Sequence, residues 1–229
     1  MPADRPDPAD PSRRDQILDA AERLFAAQGF ARTTIKQIGR DAGVNSALLY
    51  YYFADKDQLY REVLQRFVAR LVALTMGGSA GNAPPDARLR AFVQAQAETL
   101  VEHPHAPRLL VREMIDYDAA HAVEQIQHLS VTGFRRLCDL IEEGQRAGLF
   151  RADVDPRFAA ISTVAQVAYF LVARPAVRIL LGQGADGPSP EVVRAFGRHA
   201  ADFAVAALAA PAVQRRARPA ATRSRSRRA

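Results

Sequence analysis

Apolar positions along the chain recur at helical spacing almost throughout, and no stretch alternates as a surface strand does. In the first run, Ile17, Leu18, Ala21, Leu24 and Phe25 fall at i, i+1, i+4, i+7 and i+8. Ser12 suits the N-cap of this helix, Asp15 its first turn and Gly29 its end. A short helix near Thr34–Asp41 carries Ile35 and Ile38. The turn Ala-Gly-Val-Asn follows, then a second short helix near Ser46–Phe53. Asp55, with Gln58 three residues on, reads as a capping box opening a long helix. The apolar stripe of that helix, Leu59 to Val72, is wide enough to need cover on more than one side. Gly77–Pro85 is a break by turn chemistry. Beyond it the pattern predicts helices near Asp86–Glu102, Ala106–Tyr117, Ala119–Ala147, Pro156–Leu181 and Pro190–Ala209. Pro175 should kink or split the fourth of these. The fold class is therefore all-α.

Composition narrows the class. The 229 residues are 48% hydrophobic and 24% charged, ordinary for a soluble globular protein. The N-terminus lacks the apolar core of a signal peptide. The uncharged run Phe158–Ala173 is short for a membrane span and suits a buried helix. Cytoplasmic localisation without membrane contact is expected. The single Cys138 excludes an internal disulfide framework and a cysteine-based zinc site. The net charge of +6 resides in the tail Pro211–Ala229, whose seven arginines have no acid among them. The tail (residues 211–229) and the Pro/Asp-rich arm (1–11) are expected to be disordered, the tail being suited to non-specific contact with nucleic acid.

Three short helices ahead of a long one, with a glycine turn between the second and third, form a helix-turn-helix pattern. A generic helical bundle has the same spacing. The residues of the third helix favour the first reading. Leu49 and Phe53, one turn apart, are its inward anchors. Ser46, Ala47, Tyr50 and Tyr51 occupy the opposite arc, a poor solvated face but a good groove reader. Ala47 permits close approach, Asn45 and Ser46 can meet base edges, and tyrosine hydroxyls can reach phosphates. Tyr52 lies beside the core by angle.

The stretch "TTIKQIGRDAGVNSALLYYYFADKDQLY" closely resembles the DNA-binding signature of TetR-family transcriptional regulators, over about Arg13–Leu64. Two positions depart from the family pattern: Gly39 replaces the usual alanine, and Tyr52 a common histidine. The resemblance implies that Thr33 or Thr34 touches a phosphate and that Asn45, Ser46, Ala47 and Tyr50 face bases. Tyr51 and Tyr52 would lie on the DNA backbone and Lys56 at a phosphate, with Arg13 and Arg14 adding backbone contacts.

The remainder carries no phosphate loop, Gly-x-Ser-x-Gly or His-Glu-x-x-His. His121 and His128 are pocket or surface residues by default, and Cys138 a packed small residue. No cofactor or metal is expected. By resemblance this half binds an inducer and dimerises. The all-round apolar helix near 158–173 and the stripe Phe196, Ala200, Phe203, Ala207 suit either a four-helix dimer bundle or burial within one subunit. Candidate pocket residues are Phe92, Met114, Tyr117, His121, Phe134, Gln166, Tyr169 and Phe170, mixing aromatics with a few polar groups. The expected organisation is a DNA-binding domain over 12–58, joined by the long helix to a larger ligand-binding and dimerisation domain over 59–210. The expected function is a ligand-responsive repressor that binds a palindromic double-stranded operator as a homodimer and is released by a small-molecule effector. The rival readings are a helical carrier or enzyme with a structural N-terminal bundle, and a protein-interaction module.

Overall fold

The computed structural model describes residues 11–79, 82–184 and 187–211. The expectations for the N-terminal arm and the arginine-rich tail fall, but for Pro11 and Pro211, outside these residues. Helices α1 (Pro11–Gln28), α2 (Ile35–Asp41), α3 (Ser46–Tyr52) and α4 (Lys56–Ser79) are followed by α5 (Pro85–Glu102), α6 (Ala106–Tyr117) and α7 (Val123–Leu129). A π-helical segment (Ser130–Phe134) leads into α8 (Arg135–Arg146), then α9 (Pro156–Val172), α10 (Arg174–Leu180) and α11 (Pro190–Leu208). The only β pairing among the described residues is one isolated bridge, Phe150 to Ala209. The fold is all-α.

Two cores form. The first joins Ile17, Phe25, Ile38, Leu49, Phe53 and Tyr60, from α1 to α4, and is completed by Leu109 of α6 and Ala122. The residue-58 boundary expected from sequence thus lies just inside α4, and later parts of the chain close the core it bounds. The second core is built from α5, α8, α9 and α11, with Leu89, Val93, Ile141, Phe150, Val167 and Leu208 at its centre. Small residues let its helices approach closely. A Cβ on Gly197 of α11 would lie 2.5 Å from the Ala97 Cβ of α5. One on Gly144 of α8 would lie 2.1 Å from the Phe150 ring. Neither distance is compatible with the packing as it stands.

Two sequence expectations change, and the structure decides a third that had two alternatives. The helix expected over Ala119–Ala147 starts only at Val123, because Asp118 and Ala119 are left-handed (φ 50° and 63°), and it contains the π segment. Pro175 splits the helix over 156–181 rather than merely kinking it. Pro175 sits in the first turn of α10, where its missing N–H costs no hydrogen bond, and the two halves are bent by 74°. The α11 stripe divides. Ala200 packs inward and Phe196 stacks on Phe170 at 4.1 Å, while Phe203 and Ala207 face out. On α9, Phe158, Ile161, Ala165 and Tyr169 form an exposed stripe, so one subunit alone leaves this apolar helix uncovered along one side. No single helix among the described residues is long and apolar enough to cross a membrane.

Candidate nucleic-acid interface

Local chemistry sets both helices of the helix-turn-helix. Thr34 caps α2: its Oγ1 accepts the Gln37 N–H at 3.2 Å, and Gln37 Oε1 accepts the Thr34 N–H at 2.8 Å. Asn45 caps α3, its Oδ1 accepting the Leu48 N–H at 2.8 Å. The intervening turn places Gly43 at φ 67°, a left-handed conformation that costs glycine little. Gly39 has a packing reason. A Cβ there would come within 2.9 Å of the Val44 carbonyl oxygen, so α2 lies closer to the turn than an alanine would permit. The Val44 N–H donates to Gly39 O at 2.8 Å across the same gap.

Helical phase then sorts α3. Leu49 and Phe53 are buried and hold the helix on the first core. Tyr50 and Tyr51 are 57% and 65% exposed, beside exposed Asn45 and Ala47 and half-buried Ser46. Exposing two adjacent tyrosine rings is unfavourable in water unless a partner covers them. Tyr52 is half-buried against the core, in edge contact with Tyr51 at 5.4 Å. Lys36 and Arg40, four residues apart on α2, are both exposed and add positive charge to the unit. The sequence reading gave them no role, although their spacing puts them on one helix face.

The remaining candidates have internal partners. Thr33 is fully buried, its hydroxyl donating to Gly29 O at 2.7 Å, so Thr34 is the accessible member of the pair. Lys56 Nζ donates to Phe30 O at 3.0 Å and Thr33 O at 3.2 Å and lies 4.2 Å from the centre of the Phe30 ring. It clamps the loop between α1 and α2. Arg14 pairs with Glu62 and sits over Phe53, whereas Arg13 donates to Gln16 on its own helix.

Behind this surface lies a polar junction with the C-terminal half. Glu113 of α6 is fully buried. Its carboxyl oxygens accept the His121 backbone N–H at 2.7 Å and lie 3.2 Å from His121 Nδ1. Glu113 is also hydrogen-bonded to the Tyr60 hydroxyl of α4. Burial first, then the charge and hydrogen bond of Glu113, hold the Tyr60 phenol far above its ordinary value. The His121 ring packs on Phe30, Tyr60 and Tyr117 at 5.0–5.3 Å. Arg112 Nη2 donates to Ala27 O, near the end of α1, at 3.3 Å. Two residues expected in a ligand pocket, Tyr117 and His121, are therefore gathered at the domain junction. Glu113, which organises it, was missed. A lone Glu in an apolar helix face is its only sequence signal.

The other expected pocket residues are dispersed. Met114 and Tyr169 are exposed, Phe170 is stacked in the second core, and Gln166 bonds back to Ser162 O at 3.4 Å. Phe92 and Phe134 meet in a cavity of about 300 Å³ between α4, α5, the π segment and α9, with Leu71, Gln96, Ile161 and Val164 among its walls. A second depression of about 620 Å³ lies at the α8–α9 loop, where Asp153 pairs with Arg151 and Asp155 with Arg157. Cys138 borders it, and burial pushes its thiol up, away from reactivity. No group of three or more metal-ligating side chains occurs among the described residues.

Comparison with known proteins covers both halves. The family "Bacterial regulatory proteins, tetR family" matches residues 17–63, and "Tetracyclin repressor-like, C-terminal domain" matches residues 85–203. The chain is 32% identical over 159 residues to the HTH-type transcriptional repressor NicS of Pseudomonas putida, covering 69% of this chain and 74% of that one. It is 28% identical over 177 residues to the HTH-type transcriptional repressor KstR2 of Mycobacterium tuberculosis, covering 75% and 88%. A bacterial regulatory protein in the tetR family from Rhodococcus RHA1 shares the fold at a TM-score of 0.72 and 17% identity, covering 88% of this chain and all of that one.

Proposed function

Given that the chain belongs to the tetR family of bacterial regulatory proteins, and is thus a ligand-responsive DNA-binding transcriptional regulator rather than an enzyme, we propose that it is a cytoplasmic homodimeric repressor. It reads a palindromic operator and leaves it when a small-molecule effector binds the C-terminal half. The observation that carries the proposal is the exposure of Tyr50 and Tyr51 on a helix whose opposite side is anchored by Leu49 and Phe53. On this reading Asn45, Ser46, Ala47 and Tyr50 meet bases, with Thr34 and Tyr51 at phosphates. Tyr52 supports them from the core edge. Lys56 and Thr33 fix the loop that aims α2, and the third N–H of Lys56 remains for a phosphate.

The exposed stripe of α9, with Phe158 and Tyr169 at 67% and 68%, supports pairing with a second copy, joined by outward Phe203 of α11. A contiguous apolar face of this kind marks an interface in a soluble protein. Pairing α9 and α11 with their copies makes a four-helix bundle and gives two recognition helices for half-sites roughly 34–36 Å apart. The effector then acts by favouring one spacing of those helices over another.

The test is a gel shift with the DNA upstream of the protein's own coding region, repeated across salt concentration. Tyr50→Ala should weaken binding at least tenfold with no change in melting temperature, because the side chain is exposed. Binding should fall steeply with salt as phosphate contacts release counterions. Undiminished binding by Tyr50→Ala would remove α3 from the interface.

A further inference from the structure

The cavity between α4, α5 and α9 has one polar feature. Gln96 is 4% exposed and lines it, and its Oε1 has no hydrogen-bond partner among the described residues. Its Nε2 donates to Val164 O at 3.4 Å. Only the NH2 end of an amide can face a carbonyl oxygen, so this bond fixes which end is left over. What remains is an acceptor. The other described walls, Leu71, Phe92, Phe134, Ile161 and Val164 among them, are apolar, and none of the described lining residues is charged. A buried acceptor without a partner is unfavourable, and interiors rarely keep one without cause. The π segment also borders the cavity, and such a break in helical hydrogen bonding is frequent at functional sites.

We infer that this cavity binds a small, uncharged, largely apolar molecule carrying one hydroxyl or N–H group, which donates to Gln96 Oε1. The volume of about 300 Å³ is at the small end of the range for small-molecule sites. An anionic ligand is disfavoured, because its charge would be desolvated with no cation in the walls. Leu71 and Leu74 place the occupant against α4, the helix whose first turns form part of the core that holds α3. The inference rests on the reading that an effector acts through the C-terminal half, and the experiment below separates the two.

The probes are para-hexylphenol, its methyl ether para-hexylanisole, and para-hexylbenzoate, titrated calorimetrically into the full-length protein, with operator gel shifts in the same buffer. The phenol should bind roughly tenfold to a hundredfold more tightly than the ether, the penalty for leaving a buried acceptor unmatched. The benzoate should bind more weakly than either. Gln96→Leu and the longer Gln96→Met should bring the phenol-to-ether ratio close to one, and both should melt no lower than the parent, because each removes an unpartnered buried acceptor. A ratio that persists in both variants, a benzoate that binds as well as the phenol, or no binding by any probe would overturn the assignment. If the phenol binds with the Gln96-dependent preference yet leaves operator affinity unchanged, the site stands and the effector reading falls. If another compound releases the operator while the phenol fails to bind, the effector reading stands and the site falls.

Discussion

Lys56→Met isolates what an ammonium group does at the start of α4. The variant keeps the length and apolar stem of the side chain and removes its charge and donors. Three interactions disappear: hydrogen bonds to Phe30 O at 3.0 Å and Thr33 O at 3.2 Å, and the approach to the Phe30 ring at 4.2 Å. A hydrogen bond to a charged group contributes about 1.5–3 kcal/mol. A partly exposed cation–π contact contributes about 0.5–1 kcal/mol. One ammonium serves all three, and its own desolvation offsets part of the gain, so the contributions do not add. The net loss should be about 2–3 kcal/mol. For a chain of this size each kcal/mol shifts the melting temperature by roughly 2–4 °C, which gives a fall of about 4–12 °C. Thermal unfolding followed by far-ultraviolet circular dichroism measures it. The salt dependence of operator binding supplies the second readout: loss of one phosphate contact lowers the slope of log K against log salt by about 0.9. A variant that melts within a degree of the parent would show that the clamp on the α1–α2 loop contributes nothing, and Lys56 would then act on DNA alone.

Gly144→Ala should destabilise by about 1–2 kcal/mol, since the added methyl overlaps the buried Phe150 ring and the gain in helix propensity offsets only part of the strain. Chemical denaturation checks this, and an unchanged midpoint would mean that Phe150 can move aside freely. Tyr60 stays protonated in the folded protein well above pH 10, whereas the unfolded chain releases this proton near pH 10. Its contribution is therefore complete below pH 10 and is lost as pH rises further. Tyr60→Phe should be less stable than the parent at pH 7 and lose less stability between pH 9 and 11, read from denaturation midpoints; parallel curves would contradict the assignment. Tyr169→Glu, on the exposed α9 stripe, should convert dimer to monomer in sedimentation velocity and weaken operator binding with it, and a variant that sediments as a dimer would move the interface elsewhere.

How far the sequence reached depended on whether a feature was set by neighbours in the chain or by distant ones. The inward Leu49 and Phe53 and the outward Tyr50 and Tyr51 follow from helical phase. These were legible. The inward turn of Thr33 was not, because it depends on how the α1–α2 loop closes over Gly29. Nor was the clamp made by Lys56, which spans 26 residues to Phe30. The start of α7 shifted for a similar reason: Glu113 draws the His121 N–H toward α6, and the intervening Asp118 and Ala119 are left-handed, so no helix begins there. The outward stripe of α9 was hidden by composition, since a helix apolar on every face gives no phase. Gln96 was within reach. It sits four residues after Phe92 on the inward stripe of α5, a polar residue where the pattern calls for an apolar one.

Leu109 and Ala122 in the first core bear on how such regulators can be recombined. A DNA-reading head cut at the end of α3 or early in α4 and spliced to a foreign sensor would lose both residues, along with the Glu113–Tyr60 bond and the tie from Arg112 to α1. Its interior would then be open on one side. Chimaeras that carry the head together with α6 and the turn through Ala122 keep the seam intact, and the exchangeable unit is discontinuous in the chain.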